Sequence, residues 1–433
     1  MEKYDVAIIG GGILGTTISY WLSTLYDLKL CLVEKETDVA MHASSRNTGV
    51  LHSPFYLNPN TQKILAISAL KSYPMWEKLA SKSKLPWKKT GVLEIALNHK
   101  QYQSLKEFMK WGVDNGIPPE DLELLDRNDV SKKEPNVSCH SAIYCSREVS
   151  VDFGAFTREV IKESKKNGTK ILLKHNVKSI EKNGTYSTVI FDDDSKITSK
   201  LVINCAGGNS LDIAKKFGLA TEYSDLHFRG EYWIADKKYS DLVKTTIYSV
   251  AEFKGYPFLD PHWIKKADGQ SEVGPNAVPV PSPETYSGYM GDFKTAISKL
   301  KDIVTGNALK LLSDSEFLSL ISKEWFSSIS KTAMIHRIQK FIPKVKPEYF
   351  SKQGTAGIRS PLITPKGKFL ADVLELQNEN SFHIINYNSP GATGAPAYSA
   401  FVVKKLKDAG LLKYPEKNIE SLWKIDDVIN QGW

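Results

Sequence analysis

Tyr4-Asp5-Val6-Ala7-Ile8-Ile9 runs straight into Gly10-Gly11-Gly12-Ile13-Leu14-Gly15, and this junction decides the architecture of the chain. The first six residues are the short apolar run that a buried parallel strand needs. The next six fit G-x-G-x-x-G. Gly10 permits a tight turn, Gly12 lets the backbone approach a pyrophosphate, and Gly15 lets the following helix pack close on the strand. The helix start presents unpaired N–H groups and the positive end of its dipole to phosphates. Residues 28–33 read as a second strand, and Glu34 ends it, 24 positions after Gly10 (34 − 10). That is close to the spacing of an acid that takes a ribose hydroxyl. A glycine motif alone is compatible with an ordinary αβ turn. Strand, turn, helix, second strand and acid in order specify a dinucleotide-binding unit.

The chain of 433 residues is long enough for two or three domains with full cores. Its 41% hydrophobic and 24% charged residues are ordinary for a globular protein. No stretch approaches the eighteen apolar residues of a membrane-spanning helix. A strand begins by residue 4, which leaves no room for a signal peptide, so a cytoplasmic location is expected. Cys31, Cys139, Cys145 and Cys205 form no C-x-x-C pair, and the histidines form no H-E-x-x-H, so no metal site is expected. The net charge of +8 comes without a dense basic block, which argues against nucleic acid. An anionic substrate, an anionic membrane surface on the inner face of the cell membrane, or a solvated lysine-rich surface all accommodate it.

Beyond Glu34, residues 41–53 are small, polar and turn-prone, suited to wrapping a ligand. Helical spacing marks 60–82 and 100–115, and 91–97 reads as a strand. From Val149 the pattern turns nucleotide-binding again. A helix is expected over 154–166, and strands over 170–173, 177–180, 185–191 and 199–204. The last strand runs into a second glycine turn at Gly207-Gly208, and a helix follows over 211–217. Residues 228–290 alternate in the manner of an antiparallel sheet, and 291–341 look mainly helical. A strand over 382–386 and the turn over 388–396 lead into a last helix through Lys407. Residues 419–429 could form an amphipathic helix, with its apolar face on a membrane, a partner subunit or this chain.

Several of these stretches resemble the D-amino-acid-oxidase-like flavoproteins: Gly10–Gly15, the 44–53 loop, the Asn204-Cys205-Ala206-Gly207-Gly208 turn and the Ser389-Pro390-Gly391-Ala392-Thr393 turn. Within them the chain is most similar to L-2-hydroxyglutarate dehydrogenases, with malate:quinone oxidoreductases near and glycerol-3-phosphate dehydrogenases further off. The likeness extends through 132–135, 228–232, 257–262, 268–269, 273–278 and 356–359. The chain departs from that pattern at Arg46-Asn47-Thr48-Gly49, at Asp260-Pro261 before His262, and at Ser360-Pro361 after Arg359.

The resemblance implies an α/β chain with a Rossmann-like FAD-binding domain of the glutathione-reductase type and an inserted antiparallel-sheet α+β substrate domain. The first takes residues 1–80, 150–226 and 342–410, the second 81–149 and 227–341, and 411–433 is a tail. FAD is the implied cofactor, one per chain. Gly10, Gly12, Ile13, Leu14, Gly15, Glu34, Lys35, Ser44, Ser45, Arg46, Asn47, Thr48, Gly49, Val177, Ala206, Gly207, Arg359, Gly391, Ala392, Thr393 and Gly394 are the residues expected to hold it. The implied reaction is oxidation of a small anionic secondary alcohol, of the L-2-hydroxyglutarate or malate type. Its electrons are expected to pass to a quinone or similar carrier, with the protein peripheral at a membrane surface, and a homodimer is compatible with it. Glycerol-3-phosphate oxidation and amine or amino-acid oxidation are the alternatives.

That chemistry needs a base, and His262 is the candidate, with His52 next; a histidine satisfied in the core is the competing reading. Arg359 is the candidate carboxylate clamp, since a guanidinium can offer two parallel bonds. Arg229 is a second clamp candidate, although Glu231 could pair with it. Lys265 could take a second anionic group, and Tyr232 and Tyr286 could add hydroxyl contacts or serve only as sheet residues.

Overall fold

The computed structural model describes residues 2–252, 256, 260–288, 308–311, 313–430 and 433. Its first sheet has eight strands and is built around the opening one. Glu2–Ile9 lies parallel to both Leu30–Val33 and Lys196–Asn204, and Lys170–Leu172 extends the parallel set. Val177–Asn183, Tyr186–Phe191 and Lys196–Asn204 form an antiparallel meander at one side. Ser381–Ile385 adds to Lys196–Asn204 in parallel, and Leu374–Asn378 pairs with it from outside.

The second half of the opening strand, Val6 to Ile9, is apolar because both of its faces are buried. Val6 and Ile8 pack into the layer of Ile18, Trp21, Phe156 and Tyr398, under the helices Ile13–Leu25, Phe153–Lys166 and Gly391–Asp408. Ala7 and Ile9 pack into the opposite layer with Val33, Val177, Phe191 and Phe217, as a two-residue period requires. Trp76, fully enclosed, donates from Nε1 to the Thr393 carbonyl at 2.8 Å. Truncation of such a side chain costs about 3–5 kcal/mol.

The stretch 419–429 packs on this layer. Only Asp426–Ile429 is helical, and Leu422, Trp423 and Val428 are buried. The Trp423 ring lies edge-on to Trp76 at 5.7 Å, and its Nε1 donates to the Met75 carbonyl at 2.9 Å. Leu422, Trp423 and Val428 belong to this chain's own core, one of the packings expected for the stretch.

The second sheet also has eight strands, in the order Phe350–Gln353, Trp233–Ala235, Ser271–Gly274, His262–Lys265, Thr246–Ser249, Val92–Ala96, Ser141–Cys145 and Leu122–Asp126. It is antiparallel apart from Thr246–Ser249, which runs parallel to Val92–Ala96 after a long excursion through the first sheet. Phe350–Gln353, expected in the FAD-binding part, pairs with Trp233–Ala235 here. A three-stranded sheet places His227–Gly230 between Val278–Val280 and Gly357–Arg359, and so carries both candidate arginine clamps. Within the stretch expected to be helical, the helices Ser315–Ile329 and Lys331–Gln339 are capped by Asp314 and Ser330; most of its first part lies outside the described residues. Among the described residues, no helix is long and apolar enough to cross a membrane.

Candidate active site

A crevice opens at the carboxyl ends of the parallel strands, lined by Gly10, Gly12, Glu34, Ser44, Val177 and Ala206, with Lys35 and Gly207 at its rim. Its floor admits only glycine. A Cβ on Gly10, whose φ is +109°, would lie 2.4 Å from the Cys205 carbonyl oxygen, and one on Gly15 would lie 1.9 Å from that of Gly10. The Ile13–Leu25 helix has no acidic residue in its first turn, so the positive end of its dipole stays available to phosphate. Ile13 N–H donates to Ser44 Oγ at 2.8 Å, which ties the small-residue loop to this helix, and Leu14 is buried behind it. The Glu34 carboxylate is aimed by Gly11 N–H at 2.7 Å and Glu36 N–H at 2.9 Å. These features fit the ADP half of FAD: helix N–H groups for the pyrophosphate, Glu34 for ribose hydroxyls, and Val177 beside the adenine.

The 40–49 loop holds its own shape. Ser45 Oγ donates to the Ala40 carbonyl at 2.6 Å, and Asn47 donates to Ala43 and accepts from Gly49 N–H, both at 2.9 Å. Lys266 Nζ donates to the Asn47 and Thr48 carbonyls, at 3.3 and 3.2 Å. Arg46 lies over the Tyr286 ring at 4.0 Å. Lys35 Nζ donates to Glu36, reaches Glu284 at 2.9 Å and faces His42 Nε2 at 3.0 Å. Glu36, His42 and Glu284 bring ligand-type atoms within 4.8 Å of one another, but the Lys35 ammonium already supplies the positive charge there. On the far side, the Gly391–Asp408 helix starts without a side-chain cap, with Ala392, Thr393 and Gly394 in its first turn. Thr393 Oγ1 accepts from His52 N–H at 3.1 Å, so this helix start is fixed to the second cluster of polar residues.

That cluster gathers His52, Tyr56, Tyr232, Tyr248, His262 and Arg359, of which Tyr232, Tyr248 and His262 are buried and the other three half-buried. The Tyr248 ring lies 4.5 Å from His262 and 5.9 Å from His52, and Tyr56 lies edge-on to His52 at 6.0 Å. Arg359 is near enough for its charge to act on His262, Tyr56 and Tyr232. Burial lowers the pKa of Arg359 and raises those of the three tyrosines, which keeps their hydroxyls protonated. Four polar atoms make no hydrogen bond: the Tyr248 hydroxyl, His262 Nε2, and the pair His52 Nδ1 and Glu148 Oε2, which face each other at 3.5 Å. Each such atom costs about 1–3 kcal/mol, and a cluster of them marks a place where a polar ligand repays the cost.

His262 is 2% exposed, and its Nδ1 faces the Asp260 carbonyl at 3.0 Å. A carbonyl only accepts, so Nδ1 carries the proton and Nε2 offers a lone pair to the cluster. Burial, and then the charges of His52 and Arg359, lower its pKa to about 4. Asp260 is held in turn: its carboxylate accepts from Arg337 at 2.7 Å and lies 3.5 Å from Lys323. Arg337 also pairs with enclosed Glu324 at 2.8 Å, and Glu324 accepts from Ala277 N–H at 2.9 Å. This ion cluster sets the backbone that sets the His262 tautomer.

Three residues expected at the substrate are engaged by other protein groups. Lys265, three positions after His262 on one strand, points to the other face, where its Nζ donates to the Ser240 carbonyl at 2.8 Å and to Asp241 at 2.6 Å. Arg229 is engaged by Glu231 at 2.8 Å and by the carbonyls of Thr285 and Gly288. Tyr286 lines the cofactor crevice and bonds His42 Nδ1 at 2.8 Å. Tyr232 stays near Arg359. The sequence reading missed Tyr56, Tyr248, Glu94 and Glu148. Glu94 had a signal, a lone acid inside the apolar run 92–96, and Tyr56 lies one short step from His52. Glu148 and Tyr248 carry no local mark, because tertiary pairing brings them in.

The chain is 30% identical to the mitochondrial L-2-hydroxyglutarate dehydrogenase of Caenorhabditis briggsae, over 94% of this chain and 93% of that protein. It is 28% identical to the L-2-hydroxyglutarate dehydrogenase of Indibacter alkaliphilus, over 90% and 96%. Its fold matches the FAD-bound L-alpha-glycerophosphate oxidase of Mycoplasma pneumoniae with a TM-score of 0.71 at 21% identity, covering 96% of this chain and 97% of that one. The profile of the family described as FAD dependent oxidoreductase (DAO) matches residues 5–404. With that profile spanning most of its length, the chain belongs to the DAO family of FAD-dependent oxidoreductases.

Proposed function

We propose that the chain oxidises a small 2-hydroxy acid with a second carboxylate to the 2-keto acid, L-2-hydroxyglutarate first and L-malate next. The observation that carries this reading is a buried, neutral His262 whose Nε2 makes no hydrogen bond and which lies within reach of the Arg359 charge. The names of the relatives above support it. Bound FAD supplies the hydride acceptor. Arg359 takes the carboxylate next to the carbinol carbon through two parallel bonds and holds that carbon in place. His262 Nε2 takes the hydroxyl proton; it is neutral at pH 7, and an anionic substrate beside it raises its basicity as the proton arrives. Tyr56 and Tyr232, kept protonated by burial beside Arg359, donate to the second carboxylate.

Electrons then pass to a quinone-type acceptor, with the protein peripheral at an anionic membrane surface. The family resemblance and the net charge of +8 support this part of the reading. Anaerobic bleaching of the holoenzyme by L-2-hydroxyglutarate, L-malate, glycerol-3-phosphate, L-lactate and sarcosine tests the substrate class. The hydroxy diacids are expected to bleach fastest; bleaching by sarcosine, with release of its amine, would move the reading to amine oxidation. Turnover with oxygen alone, and none with a soluble quinone, would remove the acceptor.

A further inference from the structure

In the first sheet Glu2–Ile9 lies between Leu30–Val33 and Lys196–Asn204. The glycine turn at its carboxyl end therefore has one rim built by the residues after Val33 and another by those after Asn204. Lys35 and His42 stand on the first rim, Gly208 and Asn209 on the second, and all four line the cofactor crevice. Residues 281–288 cross between the rims. Pro283 packs on Gly208, where an added Cβ would lie 2.5 Å from the proline Cβ. Glu284 Oε1 accepts from Asn209 Nδ2 at 3.0 Å and pairs with Lys35 Nζ at 2.9 Å, so one carboxylate oxygen joins the two rims. The Tyr286 hydroxyl bonds His42 Nδ1 at 2.8 Å, and Arg46 lies over its ring at 4.0 Å. The crossing segment is stiff and anchored. Pro279, Pro281 and Pro283 fix φ at alternate positions. Val278–Val280 pairs with His227–Gly230 before it, and buried Arg229 donates to the carbonyls of Thr285 and Gly288 within it. The oxidation described above uses none of these contacts.

We propose that residues 281–288 are a strap that retains FAD, fastened by the Glu284 bridge and the Tyr286–His42 bond, and that FAD enters and leaves when these contacts part. The ADP half that fits over Gly10 and Gly12 then lies beneath the bridge. This rests on the FAD site and not on the choice of substrate. Arg229, expected at the substrate, anchors the strap instead. Glu284 is partly exposed, so each fastening contact is modest, and the barrier to exchange is their sum. The contacts join protein to protein. They therefore oppose passage in both directions, and breaking them speeds uptake as well as release. A residue that only touched the cofactor would change release alone.

The test measures FAD exchange and needs no turnover. Holoenzyme is diluted with a phosphodiesterase that cuts free FAD to FMN, whose brighter fluorescence reports release. Apoprotein mixed with FAD reports uptake through quenching. Melting temperatures of both forms are measured first. Glu284→Ala should release FAD about tenfold faster and take it up faster by a similar factor, as for loss of a partly exposed ion pair and a hydrogen bond. Asn209→Ala should release about threefold faster, and the double variant no faster than Glu284→Ala, because Asn209 acts through Glu284. Tyr286→Phe keeps the ring beside Arg46 and loses only the His42 bond; it is the milder variant and should release about threefold faster. Release at the wild-type rate in Glu284→Ala and Tyr286→Phe, faster release with unchanged uptake, or Asn209 and Glu284 effects that multiply would overturn the strap. Failure of the FAD site itself has a different signature: wild-type apoprotein would not quench added FAD.

Discussion

Replacing His262 by alanine separates the chemistry from the scaffold. The substitution removes a ring whose Nδ1 is held by a carbonyl and whose Nε2 is left open. Loss of a positioned general base slows its step by about 10²- to 10⁴-fold, or about 3–5 kcal/mol on the barrier. The effect on stability should be far smaller. The variant loses the 3.0 Å bond to Asp260, worth about 0.5–1.5 kcal/mol, and some packing. It also removes an unpartnered buried nitrogen, which cost about 1–3 kcal/mol in the native protein. The assay is stopped-flow flavin bleaching without oxygen, at saturating L-2-hydroxyglutarate, on protein whose flavin content and melting temperature match the wild type. A variant with full flavin that is reduced at the wild-type rate refutes the role of His262 and transfers it to His52.

Arg359→Lys should raise KM by about 10- to 100-fold, because an ammonium cannot make the two parallel bonds of a guanidinium; steady-state kinetics on L-2-hydroxyglutarate and on a monocarboxylate measure it. Gly15→Ala places a Cβ 1.9 Å from the Gly10 carbonyl oxygen, so purified protein should carry little flavin, as its absorption spectrum will show. Arg337→Gln strips enclosed Glu324 of its cation and loosens Asp260; denaturant unfolding should show a loss of about 3–5 kcal/mol, with kcat falling more than KM rises. Stability should also fall in acid. His262 and His383 both have pKa values lowered to about 4 by burial, from 6.5, so the unfolded chain takes up protons first. The stability from each, about 3 kcal/mol, is complete above pH 6.5 and lost as pH falls to 4, so melting temperatures across that range should drop less steeply in His383→Asn.

The nucleotide unit was legible because its signals are local. An apolar run, glycines at fixed offsets and an acid at the end of the next strand place Glu2–Ile9, Ile13–Leu25 and Glu34 without knowledge of any distant partner. The helices Lys63–Ser83, His99–Asp114 and Phe153–Lys166 likewise show their period in the sequence. Partner choice was not legible. Lys265 and His262 look equally available in the chain, and only the strand period and Asp241 send the lysine to the opposite face. Arg229 finds two carbonyls more than fifty residues away, and Tyr286 joins a crevice whose first lining residues are almost three hundred positions earlier. The parallel pairing of Thr246–Ser249 with Val92–Ala96 sets Tyr248 beside Glu94, and no local pattern announces it. The apolar residues of 419–429 were visible, but the aromatic layer of Tyr20, Trp21 and Trp76 that receives them was not.

The most direct test of the central claim is the anaerobic rate of flavin reduction by L-2-hydroxyglutarate and by its C2-deuterated form, with glycerol-3-phosphate run alongside. The account predicts rapid bleaching, a primary isotope effect from the C2 deuterium, and a kcat/KM for the hydroxy acid at least about tenfold above the phosphate ester, or about 1.4 kcal/mol of transition-state discrimination. Bleaching by glycerol-3-phosphate that is tenfold better, or reduction by L-2-hydroxyglutarate that ignores the C2 deuterium in single-turnover bleaching, would contradict it.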